Sequence, residues 1–337
     1  MKPRIYWFLA LVLGTTATAS AQSRSVGSPP ENYIYFGLDR ARIEEVEFLS
    51  NQGVTGVHLK YTWKELEPTR DRYEFDAPTN DLEYLERHGK RLFIQLQDVS
   101  FDTARINVPD YLLDDPAFNG GAAIHYDGHD EVGPVAEGWV SRRWDPAVRD
   151  RIERLLRALA AEFDGRIAGL NLPETAIGFG GDPEFHPAGY SYDTYYEGIL
   201  ALMSAARDAF QQSDVIIYAN FMPGEELPDE DHGYLKGVYA HADRIGMGVG
   251  GPDLLPHRWF QRQNSLPLIA ARAPGTVAGV AVQWGNLEDM NRQTGKRVTV
   301  NELYDYARDE LRLDYIFWGT QEPFYSKDIL PFVERLD

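Results

Sequence analysis

Eight short apolar or β-branched runs recur along this chain, each followed by a stretch with helical periodicity. They are Tyr33 to Phe36, Val54 to Tyr61, Arg91 to Leu96, Ile167 to Leu172, Val215 to Ala219, Arg244 to Gly248, Val277 to Gln283 and Asp314 to Trp318. Strands that alternate with helices imply parallel pairing through right-handed crossovers. Eight such units close a barrel. The expected fold class is therefore α/β, a single (β/α)8 TIM barrel.

The intervening helices follow the same logic. Ile43 to Asn51 carries Ile43, Val46, Phe48 and Leu49, and Asp81 to His88 stops at Gly89, a good C′ residue. Asp145 to Phe163 has the clearest pattern, with Asp145 as the cap and Pro146 in the first turn. Its Val148, Ile152, Leu155, Leu156 and Leu159 fall on one face. Tyr195 to Phe210 repeats the pattern. Two connections are long, Gln97 to Trp144 after the third strand and Glu174 to Tyr192 after the fourth. Both lie at the C-terminal face, where barrel enzymes build their sites, and loops of that length are usually functional walls.

The first residues belong to a different class. Lys2 and Arg4 precede an apolar run from Ile5 to Gly14, and a small-residue stretch ends at Ala19-Ser-Ala21. That order and length predict a secretory signal peptide over 1–21, with an apolar core too short for a stable membrane span. A flexible spacer over 22–31 and a barrel domain over 32–337 are expected to follow, exported to the periplasm or the medium. The 337 residues contain no cysteine, which excludes disulfides, thiol catalysis and thiolate metal sites. A formal charge of −19 repels nucleic acid and anionic lipid and disfavours polyanionic substrates.

Gly169-Leu-Asn171-Leu-Pro-Glu174 places a glutamate immediately after the fourth strand. Glycosidic cleavage typically needs two carboxyl groups, one protonated as general acid and one acting as nucleophile or base. The acid needs a raised pKa, which partial burial and a neighbouring negative charge supply. Glu174 suits that role, with Asn171 to orient it or to bind a sugar hydroxyl. Trp63, Tyr61, Trp284 and Trp318 are expected at strand ends on one rim, to stack on the apolar faces of sugar rings. Gln95, Gln97, Asn220 and Gln283 are expected to bind hydroxyls there.

Val57-His-Leu-Lys-Tyr61-Thr-Trp63-Lys-Glu-Leu66-Glu67-Pro68, followed by Tyr73-Glu-Phe75-Asp76, resembles the second-strand region of (β/α)8 retaining glycoside hydrolases. These form the large clan that contains β-galactosidases, cellulases and xylosidases. Val108-Pro-Asp-Tyr-Leu112 and Trp144-Asp-Pro146 are similar to further segments of the same group. The resemblance implies a carbohydrate site and makes Trp318 the floor of the cleavage subsite. The chain departs from the clan in two places. Leu172 and Pro173 separate Asn171 from Glu174, and strand seven ends in Gln283 where the resemblance implies a nucleophilic glutamate.

An amide cannot form the usual glycosyl ester, so either a second carboxylate comes from elsewhere or a sugar substituent attacks, a substrate-assisted route that needs only a positioned acid and polar helpers such as Gln283. Asp253, in a Gly-rich turn after strand six, and Glu322, before a proline after strand eight, rank ahead of Glu288, Asp289 and Asp98. The function expected is hydrolysis of glycosidic bonds in a neutral oligo- or polysaccharide. A catalytically silent barrel that binds glycans is the alternative. A lyase would want basic residues on the rim, which shows little Lys or Arg. His125-Tyr-Asp127-Gly-His129-Asp130 matches no zinc spacing. No phosphate loop, dinucleotide fingerprint or Gly-x-Ser-x-Gly elbow occurs, and no cofactor or metal is expected.

Overall fold

In the computed structural model, residues 28–127 and 135–336 are described. The expected leader, most of the spacer, and His129 and Asp130 lie outside the described residues. Eight parallel strands close a barrel. We number them β1 (Glu31–Gly37), β2 (Val54–Thr62), β3 (Arg91–Gln97), β4 (Gly169–Leu172), β5 (Asp214–Tyr218), β6 (Gly248–Gly251), β7 (Ala278–Val282) and β8 (Tyr315–Gly319). Each pairs with the next in chain order, and β8 closes on β1 through Ile34 opposite Trp318. The chain is a single (β/α)8 barrel.

Seven strands fall within one or two residues of their expected ends, and the sixth does not. Arg244 and Ile245 finish the preceding helix, Tyr234–Ile245. Gly246 ends that helix in the left-handed region at φ +67°, as a C-terminal glycine commonly does. The strand is instead the Gly-rich Gly248–Gly251. A Cβ at Gly250 would overlap the carbonyl of Gly279, so β6 and β7 approach too closely for a side chain there. The expected helix over Ile43 to Asn51 is also split, into a 3₁₀ turn at Arg40–Glu44 and a short helix at Val46–Ser50.

The longest helices form as their sequences predict. In Pro146–Phe163 the Asp145 carboxylate accepts the Ala147 N–H at 2.8 Å, a cap worth about 1 kcal/mol. Its face of Val148, Ile152, Leu155, Leu156, Leu159 and Phe163 is buried against the barrel. The helix Tyr192–Ala209 starts at a Ser191–Thr194 capping box.

Side chains alternate between the barrel interior and the helical layer. Phe93 of β3 and Phe317 of β8 lie 5.1 Å apart, although their strands are not neighbours. His58 of β2 likewise contacts Phe317 at 4.5 Å and Tyr218 of β5 at 6.2 Å. Only the interior allows such contacts. Gly169 opens β4 without a side chain because a Cβ would overlap the Phe93 ring.

Parity corrects two expectations, at Trp318 and Tyr61, and the short helix Trp63–Leu66 corrects a third, at Trp63. Trp318 faces outward, fully buried in the helical layer beside Phe332, with its Nε1 donating to Asn32 Oδ1 at 2.9 Å. It does not floor the mouth. Tyr61 also faces outward and donates to Asp81 at 2.7 Å, and Trp63 is buried with its Nε1 on Glu67 at 2.9 Å. Glu67 is fully buried and paired with Arg151 of the long helix. The Trp63 to Pro68 motif thus ties the β2 loop to the outer wall.

Candidate active site

The interior positions nearest the C-terminal ends of the strands are polar. β2 supplies Lys60, β3 supplies Gln95 and Gln97, β4 supplies Asn171, and Asn220 stands two residues beyond β5. Beneath them lies His58, fully buried, with its imidazole within 3.4 Å of the Asn171 amide. Burial holds the His58 pKa well below its ordinary value, and the Lys60 charge acts in the same direction. The imidazole is therefore neutral at working pH.

Glu174 stands just beyond β4 on a backbone fixed from several sides. Its carbonyl accepts from Arg143 at 2.9 Å. The next residue, Thr175, donates its N–H to Tyr218 O at 2.9 Å and its hydroxyl to Phe221 O at 2.5 Å. The Thr175 carbonyl accepts from Tyr195 at 2.9 Å. Asp98 holds Arg143 in turn, bidentate at 2.7 and 2.9 Å, with Ser141 donating to the same carboxylate. Burial alone would push the Asp98 pKa up. The Arg143 charge, together with the hydrogen bonds from Arg143, Ser141 and the backbone, outweighs it and holds Asp98 below its ordinary value. Asp98 is therefore engaged in supporting the Glu174 loop.

The Glu174 carboxyl itself has one protein partner among the described residues, Asn220, whose Nδ2 donates to Oε2 at 2.9 Å. Burial pushes its pKa up to about 7. The Asn220 hydrogen bond and the Lys60 charge oppose that rise, while the charges of Asp253 and Glu137 add to it. A carboxyl with that balance is half protonated near neutrality, as a general acid requires.

Asp253 follows β6 and is partly buried. Asn286 donates to its carboxylate at 2.8 Å, and the same Asn286 accepts from Leu254 N at 3.0 Å and Gln283 N at 3.1 Å. One buried amide thereby fixes the loops after β6 and β7 together. Burial raises the Asp253 pKa, and the Asn286 bond partly offsets it. Gln283 is half-buried, and its side-chain amide has no protein partner among the described residues. Trp284 beside it is 76 % exposed.

The other acids are engaged elsewhere. Glu322 is exposed, accepts from Ser326 Oγ at 2.7 Å, and exerts its charge on Tyr325. The structure does not bring it to Glu174. Glu288 is exposed and accepts from Gln321 at 2.7 Å, and Asp289 pairs with Arg258 at 2.7 Å.

Asn171 is fully buried, and its amide is committed to protein. With its oxygen toward Gln95 it accepts from Nε2 at 3.2 Å and donates to Ile216 O at 3.1 Å. It braces the floor. Several buried polar atoms around it have no protein partner: His58 Nδ1, Gln95 Oε1, Gln97 Oε1, Tyr218 OH and Asn220 Oδ1. Buried polar atoms are normally paired with protein or water, so this group is open to water or to a polar ligand.

The site contains residues that the sequence did not single out. Lys60, inward next to the expected Tyr61, lies 5.4 Å from the Tyr35 ring centroid. Glu137 comes from a three-stranded antiparallel sheet built in the loop after β3, with strands Val99–Ser100, Ala122–Asp127 and Val135–Ser141. Its carboxylate is 3.4 Å from the buried His125, whose Nε2 bonds Ser100 O at 2.7 Å. Asn286 sits in an unremarkable turn.

No family model matches this chain, and no curated relative matches it. Among solved structures it is similar to the catalytic domain of β-amylase from Paenibacillus polymyxa, with TM-score 0.56 and 9 % identity over 86 % of this chain and 92 % of that one. It also matches xylanase 10B from Thermotoga maritima, with TM-score 0.49 and 14 % identity over 86 % and 82 % of the two chains. An endoxylanase from a sugarcane soil metagenome gives TM-score 0.48 and 13 % identity over 89 % and 88 %. The β-amylase likeness carries the fold.

Proposed function

We propose that this chain is an exported glycoside hydrolase acting on a neutral oligo- or polysaccharide, with Glu174 as proton donor. The observation that carries the reading is the Glu174 carboxyl, fixed at the mouth of a (β/α)8 barrel and held near pKa 7 by burial and by the Asp253 charge. Asp253 is the second carboxylate. It is positioned by Asn286 and acts on the side of the bond away from Glu174. The unpartnered oxygens of Gln95, Gln97 and Asn220 are hydrogen-bond acceptors. Sugar hydroxyls satisfy them and carboxylates do not, which supports a neutral ligand. Gln283 is a binding group in this reading, since an amide cannot serve as the nucleophile.

Gln283 at the end of β7 also favours a second reading, a barrel that binds glycans without cleaving them. One screen separates the two. Release of reducing sugars is measured across neutral polysaccharides for the wild type, Glu174→Gln and Asp253→Asn. The hydrolase reading expects turnover of at least one polymer by the wild type and loss of it in both variants. Turnover that persists unchanged in Glu174→Gln removes Glu174 from the chemistry. The anomer formed first tells whether Asp253 attacks the sugar or activates water.

A further inference from the structure

Five Trp and Phe side chains among the described residues are between 39 % and 76 % exposed: Phe101, Phe185, Trp259, Phe260 and Trp284. All five lie in connections that follow barrel strands, β3, β4, β6 and β7, at the face that carries Glu174. None lies on the long outer helices. They form two groups. Phe101 packs edge-on to His125 at 5.1 Å and Phe185 to Tyr126 at 5.6 Å, so both lean on the antiparallel sheet that carries Glu137. Trp259 and Phe260 open the short helix Trp259–Gln263 after β6 and Trp284 lies in the loop after β7, and these two connections are clamped together by Asn286–Asp253 at 2.8 Å and Arg258–Asp289 at 2.7 Å.

β3 and β7 are four strands apart in a closed ring of eight, so Phe101 and Trp284 stand on opposite sides of the mouth, with Phe185 after β4 and Trp259 and Phe260 after β6 on the arc that joins them. Glu174 opens the connection after β4 that carries Phe185, and Asp253 opens the one after β6 that carries Trp259 and Phe260. On the second side the rings adjoin residues next to site positions in the chain. Phe221 directly follows Asn220 and lies 6.0 Å from Phe260, while Trp284 directly follows Gln283.

We propose that the mouth is a cleft open at both ends, which holds a polymeric glycan on aromatic platforms either side of the bond to be cut. The occupant is a chain of neutral sugar units continuous with the one held over Gln95, Gln97 and Asn220. Its apolar ring faces cover exposed aromatic carbon, and its hydroxyls remain in water. The cleavage step rests on Glu174 as proton donor, but the binding platforms do not.

The test uses Glu174→Gln protein so that binding is read without turnover. Soluble linear β-glucan, xylan, mannan and amylose are the probes in affinity gel electrophoresis, followed by titration of the di- and hexasaccharide of any retained polymer. Retention of at least one polymer is expected, with the hexasaccharide bound at least tenfold tighter than the disaccharide. Trp259→Ala with Trp284→Ala, and separately Phe101→Ala with Phe185→Ala, should each reduce that preference at least threefold. These side chains are exposed, and unchanged thermal melting confirms that the variants fold. With wild-type protein, polymer viscosity should fall well ahead of reducing-end release. Equal affinity for di- and hexasaccharide, no retention, or ring variants that bind as before overturns the cleft. Ring-dependent binding without any bond cleavage leaves the cleft standing and sinks the hydrolase reading. Release of terminal units only, insensitive to the rings, does the reverse.

Discussion

Asn220 donates its side-chain N–H to Glu174 Oε2 at 2.9 Å. Through this bond the fold restrains a buried carboxyl from rising further in pKa. The donor favours the ionised form. A general acid must be protonated to act, so activity falls as pH rises through the Glu174 pKa. Removing the donor in Asn220→Ala raises that pKa. The alkaline limb of the pH–rate profile should therefore move to higher pH, with a lower maximal rate because the carboxyl loses its orientation. A limb that stays in place shows that another group controls it.

Glu174→Gln should lower turnover of an unactivated glycoside by roughly 10²–10⁴-fold, the usual contribution of a positioned acid. A leaving group that departs without protonation, such as dinitrophenolate, should recover much of that loss. Equal losses on activated and unactivated substrates would show that Glu174 does something other than donate a proton. Steady-state rates on the two substrates decide the matter.

Asp98 and Arg143 form a fully buried ion pair beneath the Glu174 loop. Asp98→Ala leaves a buried guanidinium uncompensated and should cost about 3–5 kcal/mol of stability, measured by denaturant unfolding. The pair also makes stability pH-dependent. The folded-state pKa of Asp98 lies below its ordinary value. Its contribution is complete above about pH 4, the unfolded value, and is lost as pH falls through the folded one. The wild type should therefore show an acid-side loss of stability that Asp98→Ala lacks.

Trp318→Phe should leave substrate affinity unchanged and lower stability. The substitution strands the buried Asn32 oxygen, whose partner is Trp318 Nε1 at 2.9 Å, at a cost of about 1–3 kcal/mol. The outward orientation of β8's tryptophan is tested by comparing KM with the thermal midpoint. A raised KM at constant stability would contradict it.

The barrel was legible in the sequence because eight apolar runs separated by amphipathic helices admit few other arrangements. The Glu174 position was legible for the same reason, since it follows a short buried strand. Parity within the strands was not. Barrel strands are buried on both faces and lack the clean alternation that identifies an inward side, so Tyr61 and Trp318 attracted notice while their inward neighbours Lys60 and Phe317 did not. β6 was displaced because glycine gives no apolar signal and the preceding helix ran on through Ile245. Glu137 and Asn286 act through loop geometry, which local sequence does not encode. Glu322 illustrates the converse, a carboxylate beside a strand end that bonds a serine one turn later.

The central claim is that Glu174 is a proton donor poised near neutrality by its neighbours. It is tested most directly by following the ¹³C resonance of the Glu174 carboxyl against pH, assigned through Glu174→Gln, in the wild type and in Asp253→Asn. The account predicts a midpoint of about 7 in the wild type and a lower one in Asp253→Asn, because that variant removes a negative charge opposing ionisation. A wild-type midpoint in the ordinary glutamate range of about 4, unmoved by Asp253→Asn, would contradict it.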